Sequence, residues 1–169
     1  MSDTMNGVID QFRNLKVLVL GDAMLDAYLS GPSDRLCREA PVPVVSIRER
    51  ENVPGGAANT AVNVSSLGAE VIFLSVIGSD NEGELLSQAL GKRGVSTRHL
   101  LKDPRRATLA KQRVMAGAQM LVRFDQGSTE EIGESIDRSL IERLKSLYEH
   151  VDAVIVSDYN YGVLTPQVI

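Results

Sequence analysis

Three stretches of the chain share one pattern. Residues 16–22 (KVLVLGD), 70–80 (EVIFLSVIGSD) and 151–159 (VDAVIVSDY) carry short, unbroken, β-branched apolar runs that end in Gly, Ser or Asp. Such runs suit strands buried on both faces, as in a parallel sheet covered by helices. The polar endings then fall at the carboxyl ends of the strands. Between these runs the apolar period becomes helical. Over 59–67, small and apolar residues match a helix packed closely on a sheet, with Gly68 as its stop. Over 82–92, Leu85, Leu86, Ala89 and Leu90 recur at helix spacing, and over 136–148 Leu140, Ile141, Leu144 and Leu147 do the same. This alternation predicts a βαβ fold with right-handed crossovers.

Two stretches break the alternation. Residues 28–50 (YLSGPSDRLCREAPVPVVSIRER) carry three prolines and read as edge strands and turns. Residues 106–125 (RATLAKQRVMAGAQMLVRFD) read as a hairpin turning between Ala116 and Gln119. A small sheet appended to an α/β core accounts for both, with no repeat and no low-complexity linker. The third apolar run ends shortly before Ile169, where LTPQVI is expected to open another helix. A sheet that stops there has an edge to fill, so residues 1–169 are expected to form the front part of a longer domain.

Composition narrows the function classes. A net charge of −4 argues against a general nucleic-acid binder, whose affinity for the phosphate backbone needs a surplus of Lys and Arg. The single cysteine, Cys37, has no partner for an internal disulfide, and Cys37, His99 and His150 lack the spacing of a zinc site. A reducing cytoplasm fits. Residues 1–14 contain no apolar run of the signal-peptide kind, and no stretch approaches the ~18 apolar residues of a membrane span.

In open α/β sheets ligands bind beyond the carboxyl ends of the strands. That rule selects residues 21–26, 78–80 and 157–162, together with Gly55 and Gly56. Asp22 or Asp26 could accept hydrogen bonds from a polyol hydroxyl, and either could instead cap a helix or a turn. Gly55 and Gly56 match neither the Walker pattern, since no Gly-Lys-Ser/Thr follows, nor the dinucleotide fingerprint G-x-G-x-x-G. What remains is a helix amino terminus with bare backbone and Asn59 one turn in, suited to a sugar hydroxyl, or simply a helix packed tightly on its sheet. The hairpin is locally basic, with Lys102, Arg105, Arg106, Lys111, Arg113 and Arg123 against Asp103 and Asp125. Alternation puts Lys111 and Arg113 on one strand face. Whether Arg123 joins them depends on the turn register, because a slip of one residue exchanges faces. The cluster reads either as a solvated edge or as a site for a substrate that already bears a phosphate.

Together, VLVLGDAMLD, PGGAANTAVNVSSLGA, VIGSDNEGELLSQALGKRGV and AVIVSDYNYG resemble the ribokinase-like (phosphofructokinase-B type) carbohydrate kinases from about Lys16 onward. The runs REAPVPVV, TLAKQRVM and QMLVRFD are more specifically similar to the heptose-7-phosphate kinases, whose relatives feed ADP-heptose into lipopolysaccharide core synthesis. The resemblance implies a three-layer α/β/α core with a predominantly parallel sheet, a small β lid at about 28–50 and 106–125, and a homodimer paired through that lid. It also implies a reaction in which ATP, with Mg²⁺, phosphorylates the anomeric hydroxyl of heptose 7-phosphate to the 1,7-bisphosphate. By the same resemblance Asp26, Gly55, Gly56, Asn59 and Asp158 would bind the sugar, and Lys111, Arg113 and Arg123 would meet its phosphate.

One position departs from the pattern. The heptose kinases commonly carry Ser-Asp-Tyr-x-Lys-Gly, whereas Ser157, Asp158, Tyr159, Asn160, Tyr161 and Gly162 stand here. The family's Gly-Ala-Gly-Asp motif, with its catalytic base and most of the ATP site, is expected beyond Ile169, so residues 1–169 alone are expected to be almost inactive. Rival readings are a sugar-phosphate-binding or dimerisation module without catalysis, another ribokinase-like sugar kinase, and a nucleotide-binding oxidoreductase domain, the last disfavoured by the missing fingerprint.

Overall fold

The first apolar run forms β1 (Lys16–Gly21), and both of its faces are buried. A computed structural model describes residue 7 and residues 9–169, so the amino-terminal stretch read above for a leader lies partly outside the described residues. β1 pairs in parallel with β6 (Glu70–Gly78) on one side and β10 (Ala153–Ser157) on the other, Val17 lying opposite Val71 and Ala153. The three apolar runs are therefore neighbours in space. A fourth strand, β7 (Leu100–Asp103), extends the sheet beside β6. It was not expected from the sequence, because four residues are too few to show a period.

Alternation along these strands divides the core between two faces. Val17, Val19, Phe73 and Ile77 pack with Ala57, Ala58, Ala61 and Val64 of α1 (Ala57–Ser66) and with Leu86 and Leu90 of α2 (Asn81–Gly91). Leu18, Leu20, Leu74 and Val76 pack on the other face with Leu140 of α3 (Glu134–Tyr148). Burying each such side chain contributes roughly 1.5–3 kcal/mol, so apolar residues at both parities are favoured. That is why the runs are unbroken. The result is an α/β fold of three layers around a parallel sheet.

The helices lie close to their expected places. α1 starts two residues before Asn59, because the N–H of Ala57 is taken by the carbonyl of Asp22 (2.9 Å), and it ends before Gly68, whose N–H bonds to Ser65. Asp80 caps α2 by accepting from Gly83 N (2.8 Å). The same carboxylate accepts from Thr108 N and Thr108 Oγ1 (both 2.7 Å), which ties α2 to the chain entering the second sheet. Burial by itself would raise the Asp80 carboxyl, but the hydrogen bonds from Thr108 and Gly83 outweigh it and hold the group below its ordinary 3.8. A depressed folded pKa means stability present above the ordinary value and lost as pH falls through the folded one. Asp80→Ala is expected to cost about 2–3 kcal/mol in urea denaturation near neutral pH, and the gap to wild type should shrink at about pH 3. A gap that does not change with pH would count against this latch.

The second sheet has the order β5-β2-β8-β9, formed by β2 (Ala23–Gly31), β5 (Glu49–Gly56), β8 (Ala110–Ala116) and β9 (Gln119–Gln126). Residues 28–31 were expected among edge strands, yet they continue β2 in the interior of this sheet, paired to β5 and β8. Asp26, selected above among residues beyond the carboxyl end of the first strand, likewise lies within β2. The prolines fall where no interior N–H is required: Pro32 follows β2, Pro43 opens β4 (Pro43–Val44), which pairs with β3 (Arg35–Leu36), and Pro54 is on the edge strand β5. β8 and β9 form the expected hairpin, turning at 117–118 with Gly117 at φ 58°.

Candidate functional site

The chain leaves the parallel sheet and enters the second one at Gly21, Asp22 and Ala23. Ser75 Oγ donates to the Gly21 carbonyl (2.6 Å) and accepts from Ala23 N (3.2 Å), which steadies the crossing. The Asp22 side chain is fully buried. Its Oδ2 accepts from Tyr159 N (2.9 Å) and Tyr161 N (3.2 Å), and its Oδ1 from Val163 N (3.1 Å). Its backbone N–H donates to the Ser157 carbonyl (3.1 Å). Of the two alternatives open for Asp22 and Asp26, Asp22 serves the loop that follows β10, since these bonds engage both carboxylate oxygens.

Asp26 has a different setting. It lies on β2 opposite Val53 and Lys111, half-buried, with Oδ1 at 2.5 Å from Arg113 Nη1. This hydrogen bond raises the Arg113 pKa above its ordinary value against the opposing effect of burial. Arg113 also stacks over the Tyr28 ring, 5.1 Å from its centroid. Gly55 lies beside this carboxylate: a Cβ there would overlap Asp26 Oδ2 and come within 2.8 Å of Met24 Cγ. Gly56 has φ 57°, and a Cβ would lie 2.5 Å from the Asp22 carbonyl and 2.6 Å from Met24 Cε. The glycine pair therefore lets β5 and α1 close on β2, and Gly55 leaves the Asp26 carboxylate its room. Asn59 is exposed on the first turn of α1, and its side chain has no hydrogen bond among the described residues.

Register decides the position of Arg123. It pairs with Arg113 across the hairpin, and Lys111 pairs with Asp125, so all four side chains share the face of Asp26. The three cations are not equivalent. Arg123 is engaged by Asp125 through two contacts (Nε–Oδ1 2.9 Å, Nη2–Oδ2 3.1 Å), and Arg113 is engaged by Asp26. Lys111 makes no ion pair among the described residues; its ammonium lies 5.2 Å from the centroid of the Tyr161 ring. Asp158 stays apart. It is exposed after β10, and its carboxylate accepts from Asn160 N (2.7 Å) in a tight turn where Asn160 has φ 59°.

The structure thus brings together Asp26, Gly55, Lys111, Arg113 and Arg123, with Gly56 behind them and Asn59 and Asp158 on adjoining elements. Sequence reasoning missed the part played by the Tyr161 ring. Its only signal was a tyrosine where the resemblance expects lysine. Among the described residues no group of three His, Cys, Asp or Glu could hold a metal ion.

The model of the pfkB family carbohydrate kinases matches residues 14–165. The chain belongs to this family. The bifunctional protein HldE of Pelobacter propionicus is 39% identical over 166 residues, covering 98% of this chain and 34% of the relative. HldE of Trichlorobacter lovleyi is 44% identical over 155 residues (92% and 32%), and that of Helicobacter pylori strain J99 is 40% identical over 149 (88% and 32%). The chain spans about a third of the length of the curated relatives it matches. Among solved structures, Arabidopsis thaliana ribokinase complexed with ribose and ATP superimposes with a TM-score of 0.57 at 18% identity, over 84% of this chain and 45% of that one. A sugar kinase structure from Clostridium perfringens gives 0.61 at 18%, over 83% and 42%. These structural likenesses establish the fold.

Proposed function

We infer that this pfkB-family chain supplies the sugar-recognition part of an ATP-dependent kinase acting on heptose 7-phosphate in the cytoplasm. The observation that carries the reading is the shared face on which the Asp26 carboxylate is held by Arg113 while Lys111 makes no ion pair among the described residues. A fixed, ionised carboxylate offers several lone pairs to neighbouring sugar hydroxyls. An ammonium without a carboxylate partner offers three donors to a phosphate. Arg113 acts here through Asp26, and Arg123, whose Nε and Nη2 are on Asp125, would turn its Nη1 toward an anion. Asn59 and Asp158 would meet the sugar from the adjoining helix and loop.

ATP with Mg²⁺ would supply the phosphoryl group, at a site expected mostly beyond Ile169. At the helix start behind Gly56 the N–H of Ala57 is already taken by the Asp22 carbonyl, and among the described residues no group of three His, Cys, Asp or Glu is gathered. No step of the transfer is assigned to these residues. The second sheet would serve as a lid over the sugar. Its opposite face carries exposed Val122 and Phe124 beside a hollow of about 440 Å³ lined by residues such as Val45, Ile47, Val114 and Leu121, which supports pairing with a second copy.

Calorimetric titration of the 169-residue chain tests the substrate. Heptose 7-phosphate is expected to bind at least about tenfold more tightly than the unphosphorylated heptose, ribose or fructose 6-phosphate. Equal or tighter binding of ribose or fructose 6-phosphate would overturn the heptose assignment.

A further inference from the structure

Of the cations in the basic stretch, Arg106 alone is buried, with 8% of its surface exposed. Its guanidinium meets no carboxylate at ion-pair distance among the described residues. Nη1 donates to the Glu130 carbonyl (2.7 Å), and Nη2 donates to the carbonyls of Ser128 (3.1 Å) and Tyr161. A planar fork of this kind fixes the directions of its acceptors as well as their distances. Those acceptors come from two segments, the return from β9 and the loop after β10. The arginine therefore ties the end of the second sheet to that loop.

Tyr161 is consequently held on both sides of its backbone, with its N–H on Asp22 Oδ2 and its carbonyl on Arg106. Its ring lies against the Lys111 ammonium, and the Tyr159 ring runs nearly parallel to it, with centroids 6.5 Å apart at 8°. A lysine stem has many rotamers, and ordering it costs up to about 2 kcal/mol. A fixed aromatic face narrows that choice through a cation–π contact worth roughly 0.5–1 kcal/mol at an exposed site.

We propose that Arg106 is a positioning residue that acts through Tyr161 to hold the Lys111 ammonium on the Asp26 face, ready for the anionic group of the substrate. The proposal rests on the reading of Lys111 as the phosphate contact. It also explains how a tyrosine at 161 contributes to an anion site without carrying charge: it places a cation supplied by another strand.

The first readout is Lys111 itself in the ligand-free chain. In an isotope-labelled lysine spectrum, its εCH₂ resonance, assigned with Lys111→Arg, is expected upfield of solvated lysines because of the Tyr161 ring. Tyr161→Leu and Arg106→Met should both remove that displacement, whereas Tyr161→Phe, which keeps the ring, should retain it. Arg106→Lys keeps the buried charge but cannot span three carbonyls, and it too should lose the displacement while remaining folded. With heptose 7-phosphate as titrant, Tyr161→Leu and either Arg106 variant should bind roughly fivefold more weakly, with affinity for the unphosphorylated heptose within about twofold of wild type.

A folded Arg106→Lys or Arg106→Met protein whose Lys111 resonance stays displaced overturns the proposal. So does a Tyr161→Leu protein that binds heptose 7-phosphate as wild type does. If the resonance behaves as expected but wild type binds no heptose 7-phosphate, the clamp stands and the substrate assignment fails.

Discussion

Asp22→Ala is expected to destabilise the chain by about 3–5 kcal/mol, because it leaves the buried N–H of Val163 and the partly buried N–H groups of Tyr159 and Tyr161 without their acceptor. Each unsatisfied buried donor costs roughly 1–3 kcal/mol, and partial relaxation of the loop keeps the total below the simple sum. The midpoint of thermal unfolding should fall by about 10 °C. Asp22→Asn should be little better. Oδ1 and Oδ2 both accept from backbone N–H groups, so an amide in either orientation sets a donor against a donor. In hydrogen exchange the three amides should lose protection together. Melting within about 2 °C of wild type would remove Asp22 from its structural role.

Asp26→Asn is expected to act on binding instead. The carboxylate is half-buried rather than enclosed, and its one side-chain partner, Arg113, can keep an amide oxygen as acceptor. Hydrogen bonds to a charged group contribute about 1.5–3 kcal/mol, so heptose 7-phosphate should bind roughly 10- to 100-fold more weakly. Gly55→Ala should reproduce much of that loss without touching the charge, because its methyl overlaps Asp26 Oδ2 and turns the carboxylate away. If both changes act through the same carboxylate, the double variant should be only slightly worse than Asp26→Asn alone. Additive losses would mean that Gly55 acts on the ligand directly.

The sheet strands were legible because burial on two faces leaves a continuous apolar run, as at Val17–Leu20 and, broken once by the buried Ser75, at Phe73–Ile77. The helices were legible because Leu86, Leu90 and Leu140 must face the sheet at helical spacing. β7 was not, because its four residues carry no period and are strand only by pairing with β6. Residues 28–31 misled for a related reason: Pro32 and its neighbours announce a turn, but nothing local says that β8 will add to β2 from eighty residues away. At the site, the resemblance named Asp26, Gly55 and Lys111, which the fold brings onto one small sheet. It did not rank the cations, since a hairpin sequence does not show that Arg123 meets Asp125 while Lys111 meets a ring.

By itself the sequence determined the layer architecture, the alternation of the three apolar strands with their helices, and the family. These depend on local patterns of apolar period and motif, which the chain carries wherever it folds. Only the tertiary structure decided which carboxylate holds the loop after β10 and which is paired with Arg113, and which cation makes no ion pair among the described residues. It also decided that the loop after β10 hangs from Asp22 and Arg106. Those are pairings between residues as far apart as Asp22 and Val163, settled by strand register and by the need to satisfy every buried donor.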